Sequence, residues 1–178
     1  MYAMQSKAIF QASARLVKEG YEIHPEVMIP LVIDVKEFAL LRKQTQDIAK
    51  AVMEEQGVSF KYKVGTMIEV PRAALTADEI GAVAEFFSFG TNDLTQTALG
   101  FSRDDAEGKF LSAYMEKGIL ENNPFAVLDR KGVGKLVETG VKLGRAANPE
   151  LEIGICGEHG GEPASIEFCH LTGLDYVS

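Results

Sequence analysis

The residues of this sequence best suited to bind a cation are two carboxylates, each close to the end of an apolar segment. Glu69 ends the segment 62–69, and Asp93 follows the apolar segment 86–89. Because consecutive parallel strands are usually neighbours, about 4.8 Å apart, the two carboxylates could lie at one sheet edge and share one cation. Oxygen ligands without histidine or thiolate suit Mg²⁺ or Mn²⁺. The alternative interpretation is a pair of solvated loop carboxylates.

The turn between the second apolar segment and Asp93 is suited to bind an anion. Gly90 permits backbone geometry that a side chain forbids, and Thr91 and Asn92 are residue types that cap helices. Free N–H groups at the start of the following helix would then face a bound anion. The plainer alternative is a turn whose threonine and asparagine only cap the helix.

Two more residues have side chains suited to phosphoryl or proton chemistry. Arg103 lies beyond the start of that helix, and a guanidinium can bind a phosphoryl group through two hydrogen bonds. On the surface it would instead pair with Asp104 or Asp105. Cys156 ends another apolar segment, where a buried cysteine is usually a small hydrophobic residue of the core. The residue types alone leave both alternatives open.

Helical and strand patterns alternate along the chain. Helices are predicted over 3–19, 35–56, 76–84, 110–117, 133–147 and 163–173, and strands over 26–33, 62–69, 86–89, 152–156 and 174–178. Thr76 and Glu79 form a capping-box pattern at the start of the third helix. Residues 104–149 exceed what one crossover needs, so an insertion or extra helix is expected there. The alternation predicts an α/β fold with a parallel sheet, either open or closed.

Composition limits the classes of partner. With 178 residues, 46% of them hydrophobic and 25% charged, the chain is long enough for one substantial core. The net charge of −8 argues against a nucleic-acid or anionic-membrane surface, and no segment has the ~18–20 apolar residues of a membrane span. Two widely spaced cysteines indicate reduced thiols, hence the cytoplasm or an organellar interior such as a plastid or glycosome. Small-molecule partners are expected.

Three blocks, in order, resemble one known family. They are GTMIEVPRAAL at 65–75, SFGTNDLTQ followed by GFSRDD over 88–105, and GICGEHGGEP at 154–163. Together they are similar to the phosphoenolpyruvate-binding barrel of the pyruvate phosphate dikinase family, one of the PEP-utilising enzymes. The similarity extends over most of the chain.

This resemblance implies a fold and a domain context. The family domain is a (β/α)8 TIM-type barrel, of which residues 1–178 would supply about the last five βα units as a single domain incomplete at both ends. By the same resemblance, the first three units would lie outside this sequence, together with two arginines that bind the substrate. In the family, phosphohistidine and nucleotide-binding domains belong to the same parent chain, which forms a homodimer. The chain alone is therefore expected to be inactive.

The resemblance also assigns roles to individual residues. Glu69 and Asp93 match the ligands of Mg²⁺, with Mn²⁺ as a substitute, while Gly90, Thr91, Asn92 and Arg103 match residues that bind the substrate's carboxylate and phosphoryl oxygens. Cys156 matches the acid that protonates the enolate carbon of pyruvate, with Glu158 and His159 setting its environment. Cys169 has no such match.

The implied activity is interconversion of pyruvate and phosphoenolpyruvate: ATP, pyruvate and phosphate give AMP, phosphoenolpyruvate and diphosphate in the full enzyme. Phosphoenolpyruvate synthase and enzyme I of the sugar phosphotransferase system use the same kind of cleft and are alternatives. A non-catalytic ligand-binding fragment is a third, although the presence of Glu69, Asp93 and Cys156 argues against it.

Overall fold

The computed structural model describes residues 1–178, which form five strands, nine α-helices and one short 3-10 helix. The elements, in chain order, are α1 (Tyr2–Lys18), β1 (Glu26–Ile29), α2 (Val35–Gln56), β2 (Lys63–Ile68), α3 (Pro71–Leu75), α4 (Ala77–Gly81), β3 (Phe86–Gly90), α5 (Thr91–Leu99), α6 (Arg103–Lys109), α7 (Leu111–Glu116), α8 (Val133–Ala147), β4 (Glu152–Cys156), the 3-10 helix Glu158–Gly161, α9 (Pro163–Thr172) and β5 (Tyr176–Val177). No helix is both long and apolar enough to span a membrane.

All five strands are parallel and form one sheet in the order β1-β2-β3-β4-β5. Each strand is therefore a neighbour of the next strand along the chain, as the alternation of strand and helix patterns predicted. The sheet is open, because β1 and β5 are unpaired on their outer sides. The parallel α/β fold is confirmed, and the chain by itself does not form a closed barrel.

Some local predictions outside the candidate site are wrong. β1 ends at Ile29 rather than at residue 33, because Pro30 has no N–H to donate to a neighbouring strand and Leu31 adopts a positive φ of 53°. Thr76 does not form the predicted capping box, since its hydroxyl donates to the Arg72 carbonyl at 2.9 Å. The short helix α3 ends directly before Thr76, so the threonine hydroxyl bonds to a carbonyl of α3 and not to the N–H groups of α4.

Helix α8 packs very closely on one face of β3. A Cβ added at Gly140 would lie 2.9 Å from the Phe89 ring, and one added at Gly144 would lie 2.9 Å from the Phe87 ring. Both glycines are thus required by space, and they let two buried phenylalanines fill the interface. This packing holds β3, and therefore the turn that follows it, in a fixed position relative to α8.

The other face of the sheet pairs glycines with large side chains of neighbouring strands. The Phe86 ring occupies the space beside Gly65, and the Tyr176 ring occupies the space beside Gly154. At the start of the strands, Lys63 forms ion pairs with Glu26 and Glu152. Large side chains such as Phe86 and Tyr176 therefore cover the glycines on the face of the sheet opposite α8.

Residues 100–132, here called the insertion, form a small unit with its own core. Helices α6 and α7 lie within it, and Ala106, Leu111 and Phe125 are buried together. The insertion was predicted, but α6 was not. Its Ser102 N-cap, which accepts from the Asp105 N–H at 3.2 Å, was the available signal for that helix.

Candidate functional site

The register of the sheet brings the predicted site residues to one edge. Ile68 pairs with Phe89 and Gly90 pairs with Cys156, so the carboxyl ends of β2, β3 and β4 lie side by side. Glu69 directly follows β2. In open and closed parallel α/β sheets, this is the edge at which ligands bind.

Glu69 is a buried carboxylate held at this edge by two neighbours. Its Oε1 accepts a hydrogen bond of 2.7 Å from the N–H of Leu31, the residue with positive φ. Burial raises the pKa of Glu69, the Leu31 hydrogen bond opposes that shift, and the adjacent Asp93 carboxylate raises the pKa further. The two carboxylates therefore lie next to each other, as the order of the strands predicted.

Asp93 is oriented by Gln96, a residue that the sequence interpretation missed. The Gln96 amide donates to Asp93 Oδ1 at 2.8 Å, and its Oε1 accepts from the Arg103 N–H at 2.8 Å. One side chain thus connects the acidic residue to the start of α6. The signal was present in the sequence, because residues three positions apart on a helix are neighbours.

Gly90 is required for a different reason from the one expected. Its φ is −85°, which residues with side chains also adopt. A Cβ at this position, however, would lie 2.5 Å from Met67 Sδ and 2.7 Å from Glu69 Oε2. The glycine therefore makes room for the carboxylate that follows β2, and the prediction of special backbone geometry was wrong.

Thr91 and Asn92 do not cap the helix with their side chains. The N-cap of α5 is Gly90, without a side-chain cap hydrogen bond, and Thr91 is the first helical residue. Asn92 lies between the acidic pair and the insertion, since its amide makes long contacts of 3.4 Å with Asp93 and with Arg103. The N–H groups of this first turn have no partner within the helix, as helix starts require.

Arg103 turns toward the site and not toward Asp104 or Asp105, the two aspartates next to it in the sequence. Its guanidinium lies 2.8 Å from Glu158 and 3.4 Å from Glu107, and it stacks 5.6 Å above the Phe125 ring. The hydrogen bond that Arg103 donates to Glu158 is the main cause of the raised pKa of Arg103. The alternative pairing with Asp104 or Asp105 is not found; Asp105 contacts Lys109 and Ser102 instead, as its hydrogen bonds show.

Cys156 is half-buried at the end of β4. Its Sγ makes one weak hydrogen bond, of 3.7 Å, to the Phe89 carbonyl. Cys169 is enclosed in the main core, where burial raises the pKa of its thiol. Only the first of the two cysteines therefore lies beside the turn that follows β3.

Glu158 and His159, which are expected to set the environment of Cys156, form hydrogen bonds with other residues. The fully buried His159 ring bonds to Thr91 Oγ1 at 2.6 Å through Nδ1 and to the Pro124 carbonyl at 3.0 Å through Nε2. Burial lowers the pKa of His159. Glu158 contacts Arg103, so both residues connect the turn after β4 to other parts of the site.

A divalent cation fits the donor set at this edge. No group of three or more His, Cys, Asp or Glu side chains is arranged to hold a metal. Glu69 and Asp93 nevertheless supply two adjacent carboxylates, and the charge of Asp93 adds to the rise in the pKa of Glu69 that burial causes. That combination suits Mg²⁺, which accepts one or two protein carboxylates and completes its shell with water and substrate oxygens.

The structure is a parallel α/β domain with polar residues gathered at the carboxyl edge of its sheet, and comparison with known proteins identifies its family. Residues 1–178 match the family described as PEP-utilising enzyme, PEP-binding domain, and the chain belongs to that family.

Proteins similar to this chain include several named pyruvate, phosphate dikinase. The chain is 56% identical to the Clostridium symbiosum protein and 54% identical to dikinase 2 of rice (Oryza sativa subsp. japonica), over 98% and 99% of its length. It is 55% identical to the chloroplastic dikinase 1 of Arabidopsis thaliana over 98% of its length. The matches cover 20%, 20% and 18% of these relatives, so the chain spans about a fifth of their length.

Proposed function

We propose that this chain binds phosphoenolpyruvate and pyruvate and, within a complete protein, takes part in their interconversion as in a pyruvate, phosphate dikinase. In the overall reaction, ATP, pyruvate and phosphate would be converted to AMP, phosphoenolpyruvate and diphosphate. The observation that carries the proposal is the meeting of Glu69, Asp93 and Cys156 at one sheet edge beside a helix start. The names of the relatives support the dikinase over the synthase and enzyme I.

Substrate binding would divide between the acidic pair and the turn after β3. Glu69 and Asp93 would hold Mg²⁺, or Mn²⁺ in its place, which when bound neutralises developing charge on the substrate oxygens. The N–H groups at the start of α5 and the Asn92 amide would bind the carboxylate and phosphoryl oxygens. Arg103 would approach the phosphoryl group from the side of the insertion.

Cys156 would move the proton that the chemistry requires. Transfer of the phosphoryl group from phosphoenolpyruvate to the histidine of the phosphohistidine domain would leave an enolate, whose methylene carbon becomes the methyl carbon of pyruvate by taking up a proton. The thiol at the end of β4 would donate this proton and would remove it in the reverse direction. Its register partner Gly90 has no side chain, which supports access from the turn to the thiol.

The open sheet supports a further part of the proposal, that these five strands belong to a (β/α)8 barrel. The outer edges of β1 and β5 have unpaired backbone groups that can pair with other chains, and closing the sheet into a barrel removes these edges. The remaining βα units, a phosphohistidine domain and a nucleotide-binding domain would come from the same parent chain, and the complete protein would form a homodimer. Chain 1–178 alone should then associate or aggregate; a monodisperse monomer that turns over phosphoenolpyruvate would contradict this.

Binding of oxalate, a planar dianion that resembles enolpyruvate, tests the proposed site. Calorimetry on the complete barrel should show oxalate binding only with Mg²⁺ or Mn²⁺, and Asp93→Asn should abolish it. The matched control is Asp105→Asn, an exposed acidic residue of α6. Oxalate affinity that is unaffected by a chelator or by Asp93→Asn would overturn the proposal.

A further inference from the structure

His159 joins three segments that form the candidate site. It lies in the 3-10 helix after β4, its Nδ1 is 2.6 Å from the hydroxyl of Thr91 at the start of α5, and its Nε2 is 3.0 Å from the carbonyl of Pro124 in the insertion. The His159 and Thr91 side chains are both enclosed, each with 1% of its surface exposed. No water is therefore expected to take over either hydrogen bond.

The chemistry of these partners fixes the direction of both hydrogen bonds. The Pro124 carbonyl can only accept, so Nε2 must carry a proton. In a neutral imidazole Nδ1 is then an acceptor, and the Thr91 hydroxyl must donate its proton to it. Burial, which lowers the pKa of His159, favours this neutral form although Glu158 and Glu162 lie close enough to oppose it.

The insertion depends on this link at a point close to Arg103. Pro124 precedes Phe125, whose ring lies under the Arg103 guanidinium. On the other side of Pro124, the Asn123 amide donates to Glu107 at 2.8 Å, and Glu107 is an ion-pair partner of Arg103. The bond from His159 to Pro124 thus fixes the segment that surrounds the guanidinium.

We propose that His159 is a positioning residue that accepts a hydrogen bond from the Thr91 hydroxyl and thereby links the insertion to the turn after β3. The inference rests on the proposed function, because it names how that site is held. It also changes the role of Thr91: the hydroxyl has no proton left for the anion, so the ligand meets the backbone N–H groups of the turn. Thr91 then influences binding through His159.

The first test measures the tautomer directly. Nitrogen NMR of the full-length protein, labelled with ¹⁵N only at histidine, should show His159 neutral and protonated at Nε2 at pH 7. The signal is assigned by its absence from His159→Gln, and the exposed His24 and His170 serve as references. A protonated imidazolium, or a neutral ring with its proton on Nδ1, would overturn the inference whether or not any ligand binds.

The second test is a double-mutant cycle on oxalate affinity with Mg²⁺ present. Thr91→Val removes the hydroxyl, and His159→Gln keeps a donor near the Nε2 position but loses the acceptor at Nδ1. Each change should weaken binding roughly tenfold, the effect of one lost hydrogen bond. Because both remove the same bond, the double variant should also lose only about tenfold.

Additive losses, about a hundredfold in the double variant, would mean that Thr91 contacts the anion directly and would overturn the inference. Thr91→Ser, which keeps the hydroxyl, should restore binding to within about twofold of the unsubstituted protein. Failure of the unsubstituted protein to bind oxalate would instead overturn the proposed function, and the tautomer measurement would still decide the role of His159.

Discussion

Cys156 and Gly90 are register partners in the parallel pairing of β4 with β3. Because each residue ends its strand, the thiol lies beside the turn that precedes α5, and its Sγ contacts the Phe89 carbonyl at 3.7 Å. Cys169 is enclosed in the main core on α9. The two thiols of this chain therefore have different surroundings, which makes one a control for the other.

Cys156→Ala is expected to abolish pyruvate formation in the full-length protein. The physical reason is that the alanine has no proton to exchange with the enolate carbon, and loss of a general acid typically lowers rates by about 10²–10⁴-fold. Metal-dependent exchange of the methyl protons of pyruvate with deuterium, followed by NMR, checks this. Cys169→Ala should retain this exchange. Nucleotide-driven phosphorylation of the histidine in the phosphohistidine domain should continue in both variants. Parental exchange in Cys156→Ala would show that the acid lies elsewhere.

Gly90→Ala is expected to disrupt the acidic pair. The added Cβ would meet Met67 Sδ at 2.5 Å and Glu69 Oε2 at 2.7 Å, so the carboxylate must move. Such overpacking costs about 1–3 kcal/mol of folding free energy. Because Glu69 is displaced, the variant should also lose Mg²⁺-dependent oxalate binding. Urea unfolding and calorimetry measure the two effects.

Gly108→Ala on α6 is the matched control for that substitution. A Cβ at Gly108 has no neighbour within 4 Å, and alanine favours helix by up to about 1 kcal/mol. This variant should keep both oxalate binding and stability. Equal behaviour of the two alanine variants would contradict the close approach between Gly90 and Glu69.

Glu158→Gln is expected to strengthen anion binding. Glu158 neutralises the Arg103 guanidinium at 2.8 Å in a pair exposed to solvent, and an incoming phosphoryl group would compete with it. Without the charge, phosphoenolpyruvate should bind roughly two- to fivefold more tightly at low salt, and the gain should shrink as salt is raised. Glu121→Gln, which removes another exposed ion pair, should leave the affinity unchanged. Weaker binding in Glu158→Gln would argue that the pair holds Arg103 in its working position.

The stability of the complete barrel should decrease on the acid side of neutrality through His159. Burial lowers the pKa of His159 below its ordinary value of 6.5, so the unfolded chain binds a proton more readily than the folded one. The contribution of the neutral His159 to the free energy of unfolding is fully present above pH 6.5. It is lost as the pH falls from 6.5 through the lower pKa that His159 has in the folded protein.

Urea midpoints between pH 5 and pH 8 check this expectation. The unsubstituted barrel should lose more stability toward pH 5 than His159→Gln does, because glutamine does not titrate. His170→Gln, a change at an exposed histidine of α9, should keep the parental pH dependence. Identical slopes in the unsubstituted barrel and in His159→Gln would contradict a buried, neutral His159.

The sequence by itself determined the parallel α/β fold and the location of the acidic residues. Strand and helix periodicities alternate clearly, and the sequential neighbours β2 and β3 must then bring Glu69 close to Asp93. The extents of α2 and β4 were also predicted correctly, because Gly57 stops one and a continuous apolar run defines the other.

Only the tertiary structure decided the partners of the polar side chains. Arg103 pairs with Glu158 across 55 residues of sequence and not with the adjacent aspartates, and His159 reaches Thr91 and Pro124. Spacing along a chain gives no distance between segments that meet only after the insertion folds. The need for Gly90 likewise comes from the space beside Glu69, which exists only once β2 and β3 are paired.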